Sequence, residues 1–233
     1  DVASQRLPIA GDPVAAAEPT TRGTLGGATE PAEAPSDDAR RARLEELATQ
    51  IRECQRCPLS IGRTNAVPGR GVLDPLVMIV GEGPGAQEDA EGEPFVGNAG
   101  QYLDKWLTAI GLSRESNVFI ANIVKCRPPG NRDPNPEESD ACLPYLHEQI
   151  ALVKPRLILT LGRISMRILI GTPHGITRVH GTMYHYQGIP LVPTFHPSGV
   201  LRNPAWRRPV WEDLKTVRNW LIDNAGHTAA RTE

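Results

Sequence analysis

Large apolar side chains are scarce over the first 38 residues, where Ala, Pro, Gly, Thr and Glu dominate. Such a stretch buries too little surface to offset its ordering entropy, so residues 1–38 are expected to form a disordered tail. The pattern changes at Asp38. In DARRARLEELATQIREC, Leu44, Leu47 and Ile51 fall at helical spacing, with Asp37 or Asp38 placed to cap the helix. Four short apolar runs follow, over residues 76–80, 118–124, 157–161 and 191–195. Helical segments near 97–110, 136–153 and 163–170 separate them, and a last one near 209–224 follows the fourth run. Strands alternating with helices predict an α/β fold, a parallel sheet of these four strands with helices on both faces. The folded domain is placed at 39–226, with a C-terminal tail over 227–233.

The polar residues that stand out cluster in this frame. Gly81-Glu82-Gly83, Asn122, Gly162 and His196-Pro197-Ser198 each come at or just after the end of a predicted strand. Ligands of open parallel sheets bind at the carboxyl ends of the strands, so these signals predict one site on one rim.

Overall charge carries little information. The net charge of −2 over 233 residues carries no global nucleic-acid signal, and any basic footprint must be local. Of the 25 basic residues, 21 are Arg, whose planar fork suits phosphate, although a GC-rich codon bias accounts for the excess equally well. No run approaches the ~18 apolar residues of a membrane span. The opening residues lack the basic and apolar segments of a secretory leader, so a cytoplasmic protein is expected.

The cysteines number four, with none left over: Cys54 and Cys57 form a C-x-x-C pair, Cys126 follows the second strand, and Cys142 lies in the next helix. Two near ligands and two distant ones are how a chain surrounds a metal centre. Spacing alone leaves zinc and an iron–sulfur cluster both open.

The loop GEGPGAQED matches G-x-G-x-x-A from Gly81 to Ala86, the dinucleotide fingerprint in form. Pro84 offers no N–H to a pyrophosphate and Glu82 sets a negative charge beside it, so that reading is set aside. Glu82, Glu88 and Asp89 instead suit a loop that faces developing positive charge or holds a water. In EPFVGNAG, Phe95 is either a core plug or a stacking platform for a base. In TFHPSGVLRNPAWRR, His196 ends a strand, and an apolar tip at Val200 and Leu201 is surrounded by Arg202, Arg207 and Arg208. A side chain inserted into a DNA stack has that setting, and so does a leucine tucked into the core.

Together, GEGPGAQED, PFVGNAG, NIVKCRPPGNRDPNPEE, HPSGVLRNPAWRR and the four cysteines resemble the family 4 uracil-DNA glycosylases over roughly residues 45–222. The resemblance implies a three-layer α/β sandwich around a four-stranded parallel sheet. It implies excision of uracil from single- and double-stranded DNA, by a monomer acting on the bacterial nucleoid. It also implies a [4Fe-4S] cluster on Cys54, Cys57, Cys126 and Cys142, which selects iron–sulfur over zinc. In such a site Phe95 stacks on the base, Asn122 reads its Watson–Crick edge, and Glu82 and Gly83 line the sugar side. Glu88 lies near carbon 5, and neutral His196 donates to the 2-oxo group. Glu82, Glu88 and His196 are the catalytic candidates, with Glu82 favoured over Glu88 for orienting water. Leu201, Arg202 and Arg207 are the expected DNA contacts.

Two rivals share the fold. A covalent uracil-DNA binder needs a basic loop ending in a nucleophilic His after the second strand, where this chain has CRPPGNRDPNPEE and no His. A silent DNA-binding module needs none of Glu82, Asn122 and His196.

Overall fold

The computed structural model describes residues 35–225. Of the two expected tails, residues 1–34 and 227–233 lie outside that range. Helix α1 (Asp37–Glu53) starts where the apolar period starts, but its cap is Ser36, whose hydroxyl accepts from Ala39 N at 3.2 Å.

The remaining elements are α2 (Leu59–Gly62), β1 (Arg70–Gly71), β2 (Val77–Gly81), α3 (Ala86–Glu91), α4 (Asn98–Ala109), β3 (Val118–Asn122), α5 (Pro136–Val153), β4 (Leu157–Leu161), α6 (Arg163–Ile170), α7 (Ile176–Val179), β5 (Tyr184–Tyr186), β6 (Ile189–Thr194), α8 (Pro197–Arg202) and α9 (Arg207–Asp223). Each of the four expected strands is present, in the parallel order β3-β2-β4-β6.

The expectation of a four-stranded parallel sheet is nevertheless wrong. The sheet has six strands in the order β1-β3-β2-β4-β6-β5, and both edge strands run antiparallel to their neighbours. The edges escaped notice for a physical reason. A two-residue Arg-Gly strand carries no apolar pattern, and Tyr184–Tyr186 is only partly buried. β5 and β6 are joined through Gln187 and Gly188, with φ of 50° and 80°, the paired positive angles of a tight hairpin turn.

β2, β3 and β4 are buried at every position, so their side chains supply two cores on opposite faces. On one face Met78, Val80 and Phe119 pack with Leu47 and Ile51 of α1 and Leu146 and Ile150 of α5. On the other, Val77, Ile79 and Ile120 pack with Leu103 and Leu107 of α4 and Leu214 and Val217 of α9. From β2 the chain crosses to β3 on one side and later to β4 on the other. That reversal opens a crevice at the carboxyl ends of the strands. No helix among the described residues is long and apolar enough to cross a membrane.

Candidate active site

A cleft of about 410 Å³ occupies that crevice, lined among others by Glu82, Gly83, Glu88, Phe95, Asn122, His196 and Arg202. All six residues expected to touch a base therefore share one cavity. Leu201 and Arg207 lie outside its lining. Leu201 is 43% exposed on α8, while Val200 beside it is fully buried. The segment expected to be a loop is thus a helix, which Pro197 begins and whose N-cap is the His196 side chain.

Asn122 ends β3 at 1% exposure, and its Oδ1 has no hydrogen-bond partner among the described residues. An orphaned buried acceptor costs about 1–3 kcal/mol, so a donor is missing here. Phe95 reaches the same point from a backbone with φ of 54°, held by Arg114, which donates to the Pro94 and Phe95 carbonyls. Gly81 makes the meeting possible: a Cβ there would stand 2.3 Å from Asn122 Oδ1 and 2.8 Å from the Phe95 ring.

The three acidic residues of the first loop separate by their partners. Glu88 accepts from Gly85 N at 3.1 Å through Oε2, and from Val96 N and Gly97 N at 3.0 Å through Oε1. It fastens the Phe95 loop to the loop after β2 with both oxygens. Asp89 is buried and turns away from the cleft to accept from Thr64 N at 2.9 Å. The Glu82 carboxylate makes no hydrogen bond or ion pair among the described residues. Burial pushes its carboxyl up to about 7, with the Asp133 charge adding to the rise and Arg163 opposing it. Asp133 and Arg163 pair with each other at the cleft wall.

His196 follows β6, and its ring lies 5.7 Å from that of Phe95, centroid to centroid. Nδ1 accepts from Ser198 N at 3.2 Å and lies 2.8 Å from Ser198 Oγ. Burial pulls the imidazole down to about 4, the charge of Arg202 acts the same way, and Glu88 opposes it. The ring is therefore neutral near pH 7. With Nδ1 accepting, its proton is on Nε2. Behind it, Trp206 stacks on Phe195 at 4.7 Å.

The cysteines converge on a different place. All four line a cavity of about 10 Å³ together with Arg63, Lys125 and Tyr145. That volume holds about one water. Arg63 donates to Cys126 Sγ at 3.0 Å and Lys125 N to Cys142 Sγ at 3.3 Å. Burial pushes the Cys142 thiol up to about 11, with the nearby Lys125 opposing, and raises Cys126 as well, with Arg63 opposing. Among the described residues no group of three or more His, Cys, Asp or Glu side chains is disposed to hold a metal ion. The expected [4Fe-4S] cluster on Cys54, Cys57, Cys126 and Cys142 is therefore corrected: no group disposed to hold it is found among the described residues, where Cys126 and Cys142 are buried in the core and Cys54 and Cys57 pack partly buried against it.

Sequence reasoning missed Arg114, Arg63, Lys125 and Gln149, each of which acts on a partner far along the chain. It also missed Ser198 as a separate actor, although its place two residues after His196 was a usable signal.

The chain is similar to known proteins. A family model described as the uracil DNA glycosylase superfamily matches residues 68–215. The type-4 uracil-DNA glycosylase of Pyrobaculum aerophilum is 48% identical over 179 residues, covering 73% of this chain and 91% of that protein. That of Sulfurisphaera tokodaii is 43% identical over 194 residues (79% and 88%), and that of Thermotoga maritima 42% over 182 residues (76% and 94%).

Proposed function

The chain belongs to the uracil-DNA glycosylase superfamily, and from that premise we propose that its cleft receives a uracil flipped out of DNA and releases it by hydrolysis. The enzyme acts in base-excision repair. The carrying observation is the buried, partnerless Oδ1 of Asn122 beside a neutral His196 in one cleft.

Breaking the bond between N1 and C1′ sends its electrons to the base and leaves positive charge on the sugar. Asn122 Oδ1 accepts the uracil N3–H, and its amide N–H₂ donates to the 4-oxo group. Cytosine presents the reverse pattern and leaves both partners unpaired. Phe95 stacks on the extruded ring. Neutral His196 donates Nε2–H to the 2-oxo group as negative charge gathers there, and Ser198 fixes the tautomer that makes this possible. Glu82 faces the cationic sugar and orients the water that adds to C1′, with Gly83 alongside. Glu88 shapes the wall near carbon 5, where thymine's methyl group is excluded. The catalytic unit runs from α1 through α9 and works as a cytoplasmic monomer on single and double strands.

Incubation with an oligonucleotide holding one uracil, followed by alkali, tests the reading. The strand breaks at that uracil alone; an intact strand overturns the proposal.

Two further outcomes are expected. With the Glu82 group near 7 and its ionised form active, kcat/KM rises through a half-maximum near pH 7 and levels above about pH 8. At pH 6 roughly a tenth of the maximum remains. His196 adds no limb in this window, since it is neutral above about 4. Glu82→Gln flattens the profile at a lower rate; an unchanged rise assigns the limb to another group.

Leu201 is exposed on α8, next in sequence to Arg202, which lines the cleft. As an apolar wedge it fills the hole left by the extruded base, which single strands do not have. Leu201→Ala therefore lowers excision from duplex more than from single strands, whereas replacing Arg202 or Arg207 weakens binding to both and flattens its salt dependence. Equal loss on both substrates for Leu201→Ala makes it a packing residue.

A further inference from the structure

Lys125 is buried to 1% exposure, and the chemistry above leaves it no task. Its Nζ donates to the Asn122 carbonyl at 2.8 Å and to Gln149 Oε1 at 2.7 Å. Gln149, also buried, donates through Nε2 to the Pro68 carbonyl at 2.6 Å. Burying an amino group is costly, and a methionine of similar length fills the space without that cost. The charge therefore needs another explanation.

Sheet register supplies one. β1 and β3 pair Arg70 with Ile120 and Gly71 with Phe119 in antiparallel sense. Continued by two residues, the register sets Pro68 opposite Asn122. Pro68 has no N–H, so the edge strand has no donor to offer the Asn122 carbonyl. Lys125 supplies that donor, and Gln149 completes the bridge by serving the Pro68 carbonyl. A side-chain relay replaces the missing rung at the residue whose side chain carries the unpaired acceptor. On the other side, Ile123 N and Val124 N donate to the Gly81 and Glu82 carbonyls at 3.0 Å. The peptide of Asn122 is thus fixed between a β2 backbone that leads into Glu82 and a buried cation.

We propose that Lys125, braced by Gln149, is a positioning residue for base recognition, setting the Asn122 peptide so that its amide meets uracil in one orientation. This rests on Asn122 being the base reader. Lys125 touches no substrate; it acts through Asn122.

The test is a double-mutant cycle on single-turnover excision of uracil, with melting temperature recorded for every protein. Lys125→Met slows excision roughly 10- to 100-fold, the scale of a small misplacement of a reacting group. In an Asn122→Ala background the same change has no further effect, because there is no amide left to aim. A purely structural role slows both backgrounds by the same factor and overturns the proposal. If Lys125→Met does not fold, Gln149→Met carries the cycle: it removes the brace and keeps the Lys125 contact, with a smaller loss that again vanishes beside Asn122→Ala. A wild-type rate for Asn122→Ala removes Asn122 as base reader and the positioning role with it, whereas a slow Asn122→Ala with additive Lys125→Met removes the positioning role alone.

Discussion

Asn122→Asp lowers the single-turnover rate on uracil by roughly 1000-fold or more, within the range for sites built to pair one hydrogen-bonding pattern. The reason is the polarity of a single amide in a closed place. Asn122 is 1% exposed and presents one acceptor and one donor group. An ionised Asp accepts from uracil N3–H but turns a lone pair toward the 4-oxo group, and it sets a negative charge beside a base that leaves as an anion. A protonated Asp, which burial favours, donates to N3 of cytosine and accepts from its amino group. The ratio of cytosine to uracil excision therefore rises even as the uracil rate collapses. Paired oligonucleotides that differ only at the target base measure both numbers. Wild-type rates on uracil remove Asn122 from the pocket.

His196→Ala is expected to slow single-turnover excision by about 100- to 1000-fold, the effect of losing one fixed donor to a developing anion. DNA affinity changes little, since the ring is neutral and carries no charge to a phosphate. The size of the effect rests on preorganisation. Ser198 N occupies Nδ1 at 3.2 Å, and burial holds the ring neutral, so the Nε2 proton is in place before the bond begins to break. Rapid-quench kinetics with enzyme in excess isolates the step. An unchanged rate shows that the 2-oxo group is served by another donor.

The parts of the fold legible in the sequence were those whose burial leaves a continuous signature. Leu157–Leu161 is buried at every position and reads as an unbroken apolar run. α5 begins at Pro136 after Asn135, as a proline-led helix should. β1 and β5 left no such trace, being short edges, the first exposed and the second partly buried, set by pairing rather than composition. α8 was obscured because Pro197 and Gly199 suggest a loop, yet Pro favours the first helical turn.

The site was legible as a set of residue types at strand ends, and the fold brings those residues to one cleft. Their division of labour was not legible. Glu82, Glu88 and Asp89 are interchangeable on paper. They are separated by backbone N–H groups delivered from residues 64, 85, 96 and 97, which leave Glu82 as the free carboxyl. Gln149 and Pro68 meet across 81 positions, and no local pattern encodes such a pair. The cysteines gave half an answer. Their convergence was foreseen, but the tightness of the cavity where they meet was not.

Turnover of uracil in DNA by this cleft is read from a count of products per enzyme. A uracil-labelled oligonucleotide in excess is incubated with a known amount of protein, and free base and protein-bound DNA are quantified together. Many molecules of free uracil per enzyme are expected, with an equal number of abasic sites and no protein–DNA adduct on a denaturing gel. Bound DNA with no released uracil, or a single equivalent of covalent adduct without turnover, contradicts that expectation.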